Sequence, residues 1–312
     1  MKPTTEILER IRKSSTDHKN GVFTRLYRYL LRDDVYKIAY KNLYANQGAA
    51  TKGTDNDTAD SFSQEYIDKI IMELSSGTYE PKPVRRTYRE KKNGKLRPLG
   101  IPSFKDKIVQ DIVRMYLEAI YEPIFSDRSH GFRPGRSCHT ALTQITKGFN
   151  GIKWFIEGDI KGCFDNIDHD VLLSILTRKI KDSRFINLIR KFLKAGYMEE
   201  WKYHTTYSGT PQGGILSPIL ANIYLNELDI KIDEIKKAFD KPAKRGKTHE
   251  YSAKQWQIEK AEKAIKDCTN ANEKALLILE LKKLKKELCS IPAKDQSDKK
   301  IVYVRYADDF LI

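Results

Sequence analysis

The sequence of 312 residues has no apolar run near the roughly 20 residues that a membrane-spanning helix needs. Its first residues, MKPTTEILERIRK, lack the apolar segment of a secretory signal peptide. Cysteine is scarce, and no two of its four occurrences have the C-x-x-C spacing of a zinc or redox motif. These absences argue against a membrane protein, a disulfide scaffold and a zinc site, and they favour reduced thiols in a cytoplasm. The cysteines are Cys138, Cys163, Cys268 and Cys289.

Acidic residues are also few relative to basic ones. The chain has 57 Lys and Arg against 42 Asp and Glu, a formal net charge of +15. Residues 81–97 hold eight basic side chains and one acid, and residues 231–300 hold 19 basic and 12 acidic ones. Residues 101–230 are nearly neutral, with 17 basic and 15 acidic side chains. Basic regions around a neutral middle predict a surface that binds a polyanion such as nucleic acid. A generally basic, soluble surface is the alternative.

The length suggests about two domains. Within 238–300 the composition changes to Lys-rich and glycine-poor. Leucines at steps of four, three and four predict one face of a helix, and a second apolar stripe before them predicts its partner. We therefore expect a basic helical hairpin inserted into a core at 238–300. The leucines are Leu277, Leu281, Leu284 and Leu288, and the facing stripe is Trp256, Ala261, Ala264, Ile265 and Cys268.

Two apolar segments end in carboxylates. KWFIEGDI (153–160) predicts a buried strand that ends at Asp159, and KIVYVRYADDFLI predicts a strand, a turn with Asp308 and Asp309, and a return strand. If the strands are adjacent, the carboxylates converge as hard oxygen ligands for Mg²⁺. Because successive side chains of a strand face opposite ways, we expect Asp159 and Asp308 to share the metal and Asp309 to be the weaker partner. Asp-Asp is also a common turn filler, so this pair alone leaves both interpretations open.

The surrounding segments resolve this ambiguity. YADD resembles the catalytic signature of reverse transcriptases. In the same order as in group II intron reverse transcriptase/maturases, the chain carries RLYRYLLRDDVYKIAYKNLYANQGAATKGTD, PKPVRRTYREKKNGKLRPLGIPSFKDKIVQ, FSDRSHGFRPGRSCHTAL, WFIEGDIKGCFDNIDHDVLLSIL and GTPQGGILSPILANIYLNELD. The chain therefore resembles that family from about residue 25 to 230 and again over 301–312.

The resemblance implies an α+β fold, the fingers and palm of a right-hand polymerase, with an antiparallel palm sheet packed on helices. It predicts the N-terminal extension and fingers in 1–100, and the remaining fingers and palm in 101–312 with the insertion at 238–300. The family continues into a thumb, so we expect a fragment without one, weakly active or inactive in processive synthesis. We also expect its uncovered apolar palm surface to favour a homodimer.

The resemblance also implies the function. The family's enzymes are RNA-directed DNA polymerases (nucleotidyltransferases) that also bind their intron RNA and assist RNA splicing and retrohoming. The implied partners are group II intron RNA, an RNA template with a DNA primer, and dNTP, in the bacterial cytoplasm and without a membrane. The implied cofactor is Mg²⁺, with two ions in the substrate complex. Two rival interpretations remain: an RNA-binding module without turnover, and a retron or CRISPR-associated reverse transcriptase.

Site residues follow from the same motifs. The resemblance assigns the metal to Asp159, the carbonyl of Ile160 and Asp308, with Asp309 as the second turn acid. It makes Phe164 a steric gate against a ribose 2′-hydroxyl, although an ordinary core phenylalanine is the alternative.

The nucleotide-binding and RNA-binding assignments rest on the glycine loop, PQGG (211–214), and on the basic segments. Gln212 would lie against the incoming dNTP, unless its loop is a plain helix entry. Lys92 and Arg97 are the candidates for the triphosphate. The residues implied as RNA contacts are Arg133, Arg136, Arg85 and Arg86. A structural role for Arg133 or Arg136 against a helix C-terminus is an open alternative.

Overall fold

The computed structural model describes residues 2–45, 48, 50–90, 94–210, 213–240, 247–293 and 299–312. The chain divides into two compact units, one of residues 1–231 with 303–312 and one of residues 232–302. The larger unit has helices and antiparallel strand pairs, which agrees with the expected α+β class. Its helices are α1 (Thr4–Asp17), α2 (Asp33–Tyr44), α3 (Gln64–Ser76), α4 (Phe104–Tyr121), α5 (Cys138–Gly148), α6 (His169–Lys179), α7 (Ser183–Lys194) and α8 (Ser217–Phe239), the last of which continues into the second unit.

Local sequence signals set several helix ends. The Ser63 hydroxyl accepts a hydrogen bond from the Tyr66 amide at the start of α3, and Gly77 ends that helix at a φ of 82°. The Asp168 carboxylate accepts from the Val171 amide at the start of α6. A capping side chain therefore begins both α3 and α6, and a left-handed glycine ends α3.

Helix α4 forms the centre of the core. All but three of its 18 residues are buried, and α1 and α2 pack against it. Such a helix is apolar around most of its circumference because other elements surround it. The side chains that are fully buried along its length include Phe104, Ile108, Ile112, Tyr116 and Ile120.

The basic segment forms a hairpin of β1 (Val84–Glu90) and β2 (Leu96–Ile101). Strand β1 also pairs in parallel with β4 (Tyr197–Glu199), which pairs with β5 (Lys202–His204). The resulting four-stranded sheet has the order β2-β1-β4-β5. Strands β4 and β5 carried no clear signal in the sequence, because each has only three residues.

A second sheet joins the two carboxylate segments. Its strands are β3 (Glu157–Asp159), β6 (Val304–Tyr306) and β7 (Asp309–Leu311), in the antiparallel order β3-β7-β6. Gly158 permits this pairing, because the ring of Phe310 occupies the space of a Cβ at that position. The predicted buried strand is wrong in one respect: Trp154, Phe155 and Ile156 are exposed, and the ladder itself is short.

The smaller unit contains α9 (His249–Asp267) and α10 (Ala271–Ser290), which pack against each other. Two ion pairs join them, Lys254–Glu287 and Lys285–Glu262. The four predicted leucines of α10, Leu277, Leu281, Leu284 and Leu288, are half-buried, as the periodicity predicts. On α9 the stripe centres on Ile258, whereas Trp256 and Ala264 face outward.

In the ranges described above, no helix is both long enough and apolar enough to cross a membrane.

Candidate active site

The three-stranded sheet brings the predicted carboxylates to one end. Asp159 is the cross-strand partner of Asp309, and the Ile160 amide donates to the Asp308 carbonyl over 3.3 Å. Directly opposed residues share a face of the sheet. The register therefore pairs Asp159 with Asp309, whereas the expected principal partner, Asp308, lies in the turn between β6 and β7. Ala307 precedes it at a φ of 57°, and this left-handed backbone re-aims the turn.

Electrostatics shows that the carboxylates interact. Burial raises the pKa of Asp309, and repulsion from Asp308, Asp159 and Glu157 raises it further. The thiol of Cys163 lies in the same field: burial first, then the charge of Asp308, raises its pKa to about 11. Sequence reasoning missed Glu157, although its position two residues before Asp159 places it on the same face of β3.

This donor set fits a hard divalent cation but does not complete its coordination shell. Across the residues that the structure describes, no three His, Cys, Asp or Glu side chains form a group that could hold a metal ion. Mg²⁺ commonly binds through one or two carboxylates and takes its other ligands from water and substrate phosphates. A bound cation would relieve the repulsion between these carboxylates.

Phe164 follows Asp159 by five residues and contacts the segment that precedes α8. Its ring is partly buried and meets Phe132 edge-on, with centroids 6.1 Å apart. Its carbonyl accepts a hydrogen bond of 2.7 Å from the Thr210 amide. The backbone of the candidate gate is therefore tied to the strand-to-helix loop that leads into Gln212.

The loop itself is held by a residue that sequence reasoning missed. The side-chain carbonyl of Gln110, in α4, accepts from the amides of Ile215 and Leu216. Gly213 has a φ of 103° and approaches β2 so closely that a Cβ would lie 2.8 Å from the Gly100 carbonyl. Glycine is required for this approach. Gln212, like Lys92 in the hairpin, lies outside the described residues.

Three predicted arginines lie on the basic hairpin. Arg97 is exposed on β2, opposite Arg89 of β1. Arg85 donates two hydrogen bonds to the Lys52 carbonyl. Arg86 stacks on Tyr197, with its guanidinium carbon 3.5 Å from the ring centroid, and lines a cavity of about 400 Å³.

Arg133 is buried, which favours the structural alternative over the predicted template contact. Its side chain is 3% exposed and forms a bidentate ion pair with Glu122. The remaining guanidinium nitrogen donates to the carbonyls of Ser126 and Ser129. All three guanidinium nitrogens donate to internal acceptors, which supports the structural alternative for this residue. Arg136 differs, because it pairs with the exposed Asp127 at the surface.

Comparison with known proteins identifies the family. Residues 89–249, just over half of the chain, match the family model described as reverse transcriptase (RNA-dependent DNA polymerase). The group II intron-encoded protein LtrA of Lactococcus lactis is 57% identical over 313 aligned positions, covering 100% of this chain and 52% of LtrA. An uncharacterized 91 kDa protein in the cob intron of Schizosaccharomyces pombe is 46% identical, covering 98% of this chain and 37% of that protein.

A solved structure titled "Partial Cas6-RT-Cas1--Cas2 complex" is 19% identical with a TM-score of 0.43, covering 80% of this chain and 43% of that chain. The chain spans about half the length of its Lactococcus relative. The high identity to intron-encoded proteins confirms the resemblance to the group II type and does not favour the retron or CRISPR-associated alternative. Since the family model covers the segment that holds Asp159 and Phe164, the chain belongs to the reverse transcriptase (RNA-dependent DNA polymerase) family.

Proposed function

We propose that this chain carries the nucleotidyl-transfer centre of an RNA-directed DNA polymerase encoded by a group II intron. The observation that carries the proposal is the convergence of Asp159, Asp308 and Asp309 at one end of the β3-β7-β6 sheet. The end-to-end alignment with an intron-encoded relative supports it. The reaction class is attack of a primer 3′-hydroxyl on the α-phosphate of a dNTP.

The carboxylates are proposed to hold two Mg²⁺ ions, with the Ile160 carbonyl as a further ligand. When bound, such a pair lowers the barrier by activating the attacking oxygen and stabilising the leaving one. Asp159 and Asp308 would be the principal ligands, and the opposed position of Asp309 gives it a supporting share. Their mutual repulsion supports this role, because a cation relieves it.

The neighbouring residues would select and orient the nucleotide. We propose that the ring of Phe164 occupies the space of a ribose 2′-hydroxyl and so favours dNTP over rNTP. Arg97, exposed on β2, would contact the triphosphate, with Lys92 and Gln212 as further candidates. The close contact between Gly213 and the Gly100 carbonyl supports a nucleotide pocket whose wall is formed before the nucleotide binds.

The basic surface supports RNA as the partner. We propose that Arg85, Arg86 and Arg136 contact an RNA template paired to a DNA primer, or the intron RNA whose splicing and retrohoming the whole protein would assist. The bacterial cytoplasm is part of the proposal and is supported by the Lactococcus relative. A homodimer through the exposed segment 154–156 is a further part, which sedimentation would test.

Primer extension on an RNA template with Mg²⁺ and dNTPs tests the centre. The wild-type chain, Asp159→Asn and Asp170→Asn should be compared, since Asp170 is an exposed acid on α6, away from the sheet. We expect extension by the wild type and by Asp170→Asn, and none by Asp159→Asn. Extension by Asp159→Asn would contradict the assignment.

The rival function is RNA binding without turnover. The observation in its favour is that the chain spans only 52% of its Lactococcus relative. If the wild type extends no primer but binds RNA tightly in a fluorescence anisotropy titration, the rival is the better description of this chain. Repeating the extension with a longer chain that covers the full length of the Lactococcus relative would then distinguish weak binding of the duplex from the absence of catalytic activity.

A further inference from the structure

The turn that carries Asp308 is connected to a buried ion pair that the proposed chemistry does not use. Arg305 is fully buried, as is Asp229 on α8. The guanidinium and the carboxylate form a two-point contact, with Nε to Oδ1 at 2.8 Å and the second nitrogen to Oδ2 at 2.6 Å. The hydroxyl of Tyr303 donates to the same carboxylate over 2.7 Å.

The other donors of Arg305 reach the turn and the segments around it. One terminal nitrogen donates to the Ala307 carbonyl at 2.7 Å and to the Asn222 side-chain oxygen at 3.2 Å. The other also donates to the Ser129 hydroxyl at 2.8 Å. An arginine has five N–H groups, and Arg305 directs all five to named acceptors.

A second set of contacts holds the turn from the opposite side. The amide of Asn222 donates to the Gly131 carbonyl over 2.8 Å. A Cβ on Gly131 would lie 2.4 Å from the Ala307 nitrogen, so this loop and the turn are in direct contact. The backbone of Arg305 also bonds to residues 128 and 130, which flank Ser129 just before Gly131.

Stability alone does not account for burying these charges. A buried ion pair is often no more stable than apolar residues of similar volume. What this pair supplies is geometry: it links the carbonyl of Ala307, whose φ is 57°, to a fixed point on α8. A non-glycine residue in that conformation persists only where its surroundings hold it.

We propose that Arg305, Asp229 and Asn222 are positioning residues that fix the Ala307–Asp308 turn and thereby the approach of Asp308 to Asp159. The network would act through the turn, and no member touches substrate. The link to metal binding rests on the proposed function, whereas the link to the turn does not. Residues that orient ligands in this way commonly change metal affinity by about 10- to 100-fold.

The test compares two conservative substitutions at one carboxylate. Arg305→Lys keeps a positive charge beside Asp229 but removes the planar group that reaches Ala307. Tyr303→Phe removes one buried hydrogen bond from the same carboxylate and leaves the Arg305–Ala307 contact intact. Both lower stability, so a merely structural role would affect the turn in both variants alike.

Two readouts follow the turn and the metal separately. Hydrogen–deuterium exchange of the peptide 303–312, without metal, should be about tenfold faster in Arg305→Lys, since it loses a charge-assisted hydrogen bond, and close to wild type in Tyr303→Phe. Mn²⁺ affinity, read from the electron paramagnetic resonance signal of the free ion, should fall about tenfold in Arg305→Lys alone. Equal exchange at 303–312 in both variants would overturn the proposal.

Two further variants separate this proposal from the proposed function. If Asp159→Asn leaves Mn²⁺ binding unchanged, the metal site is wrong, and the exchange result still decides whether the network holds the turn. If Arg305→Lys does not fold, Asn222→Ala leaves the Arg305–Asp229 ion pair in place and removes the side-chain bonds of Asn222 to Gly131 and Arg305. Exchange at 303–312 should then rise by a smaller factor, and unchanged exchange would also overturn the proposal.

Discussion

The turn at the carboxylates and the basic hairpin are built in opposite ways. Around the turn, Arg305 and Asp229 are fully buried and pair with each other across a separation of 76 residues in the chain. Along the hairpin, Arg85 and Arg86 are half-buried and Arg97 is exposed; Arg85 donates to the Lys52 carbonyl, and Arg86 stacks on Tyr197. The burial of a basic motif residue must therefore be known before the residue is assigned to RNA binding, because an arginine can equally well form a buried ion pair inside the fold.

The largest expected effect tests this sorting at Arg133. Arg133→Ala leaves Glu122 without its buried partner, so we expect the free energy of unfolding to fall by about 3 kcal/mol. Urea denaturation followed by circular dichroism measures this loss. Arg136→Ala is the matched control in the same loop, and its exposed pair should contribute less than about 1 kcal/mol. Equal stability of both variants would contradict the buried role of Arg133.

The same contrast explains how much the sequence could predict. The motifs located both carboxylate strands, and the antiparallel pairing of β3 with β7 brings them together as expected. They could not give the register, because it depends on a two-residue turn with Ala307 in a left-handed conformation. The partner of Asp159 across the sheet is therefore Asp309.

Side chains that act across long separations were the ones missed. Gln110, Asn222 and Asp229 lie on helices whose patterns predict only burial. Their partners are backbone groups or a charge brought close by tertiary packing. A periodic pattern carries no information on such pairs, whereas capping residues such as Ser63 and Asp168 bond to amides only three residues further along the chain.

The next effect concerns selectivity at Phe164. Phe164→Val should raise the incorporation of rNTP relative to dNTP by about tenfold, because it opens space for the 2′-hydroxyl. Single-nucleotide extension with each substrate measures the ratio. Phe62→Val is the control, since this ring is also partly buried but stacks on Tyr40 in the N-terminal region. If the ratio of rNTP to dNTP incorporation in both variants equals that of the wild type, Phe164 is an ordinary packing residue.

The smallest expected effect concerns RNA binding by the surface residue Arg136. Arg136 keeps about a quarter of its side chain exposed, and its partner Asp127 is almost fully exposed, so the pair can exchange for a phosphate at little cost. Arg136→Ala should weaken RNA binding modestly and reduce the slope of log affinity against log salt by about one unit. Fluorescence anisotropy titrations at several salt concentrations give both quantities. Arg178→Ala controls for the loss of any surface charge, because it breaks an exposed ion pair between Arg178 on α6 and Glu227 on α8. A slope that changes equally in the two variants would mean that general charge, rather than the position of Arg136, sets the affinity for RNA.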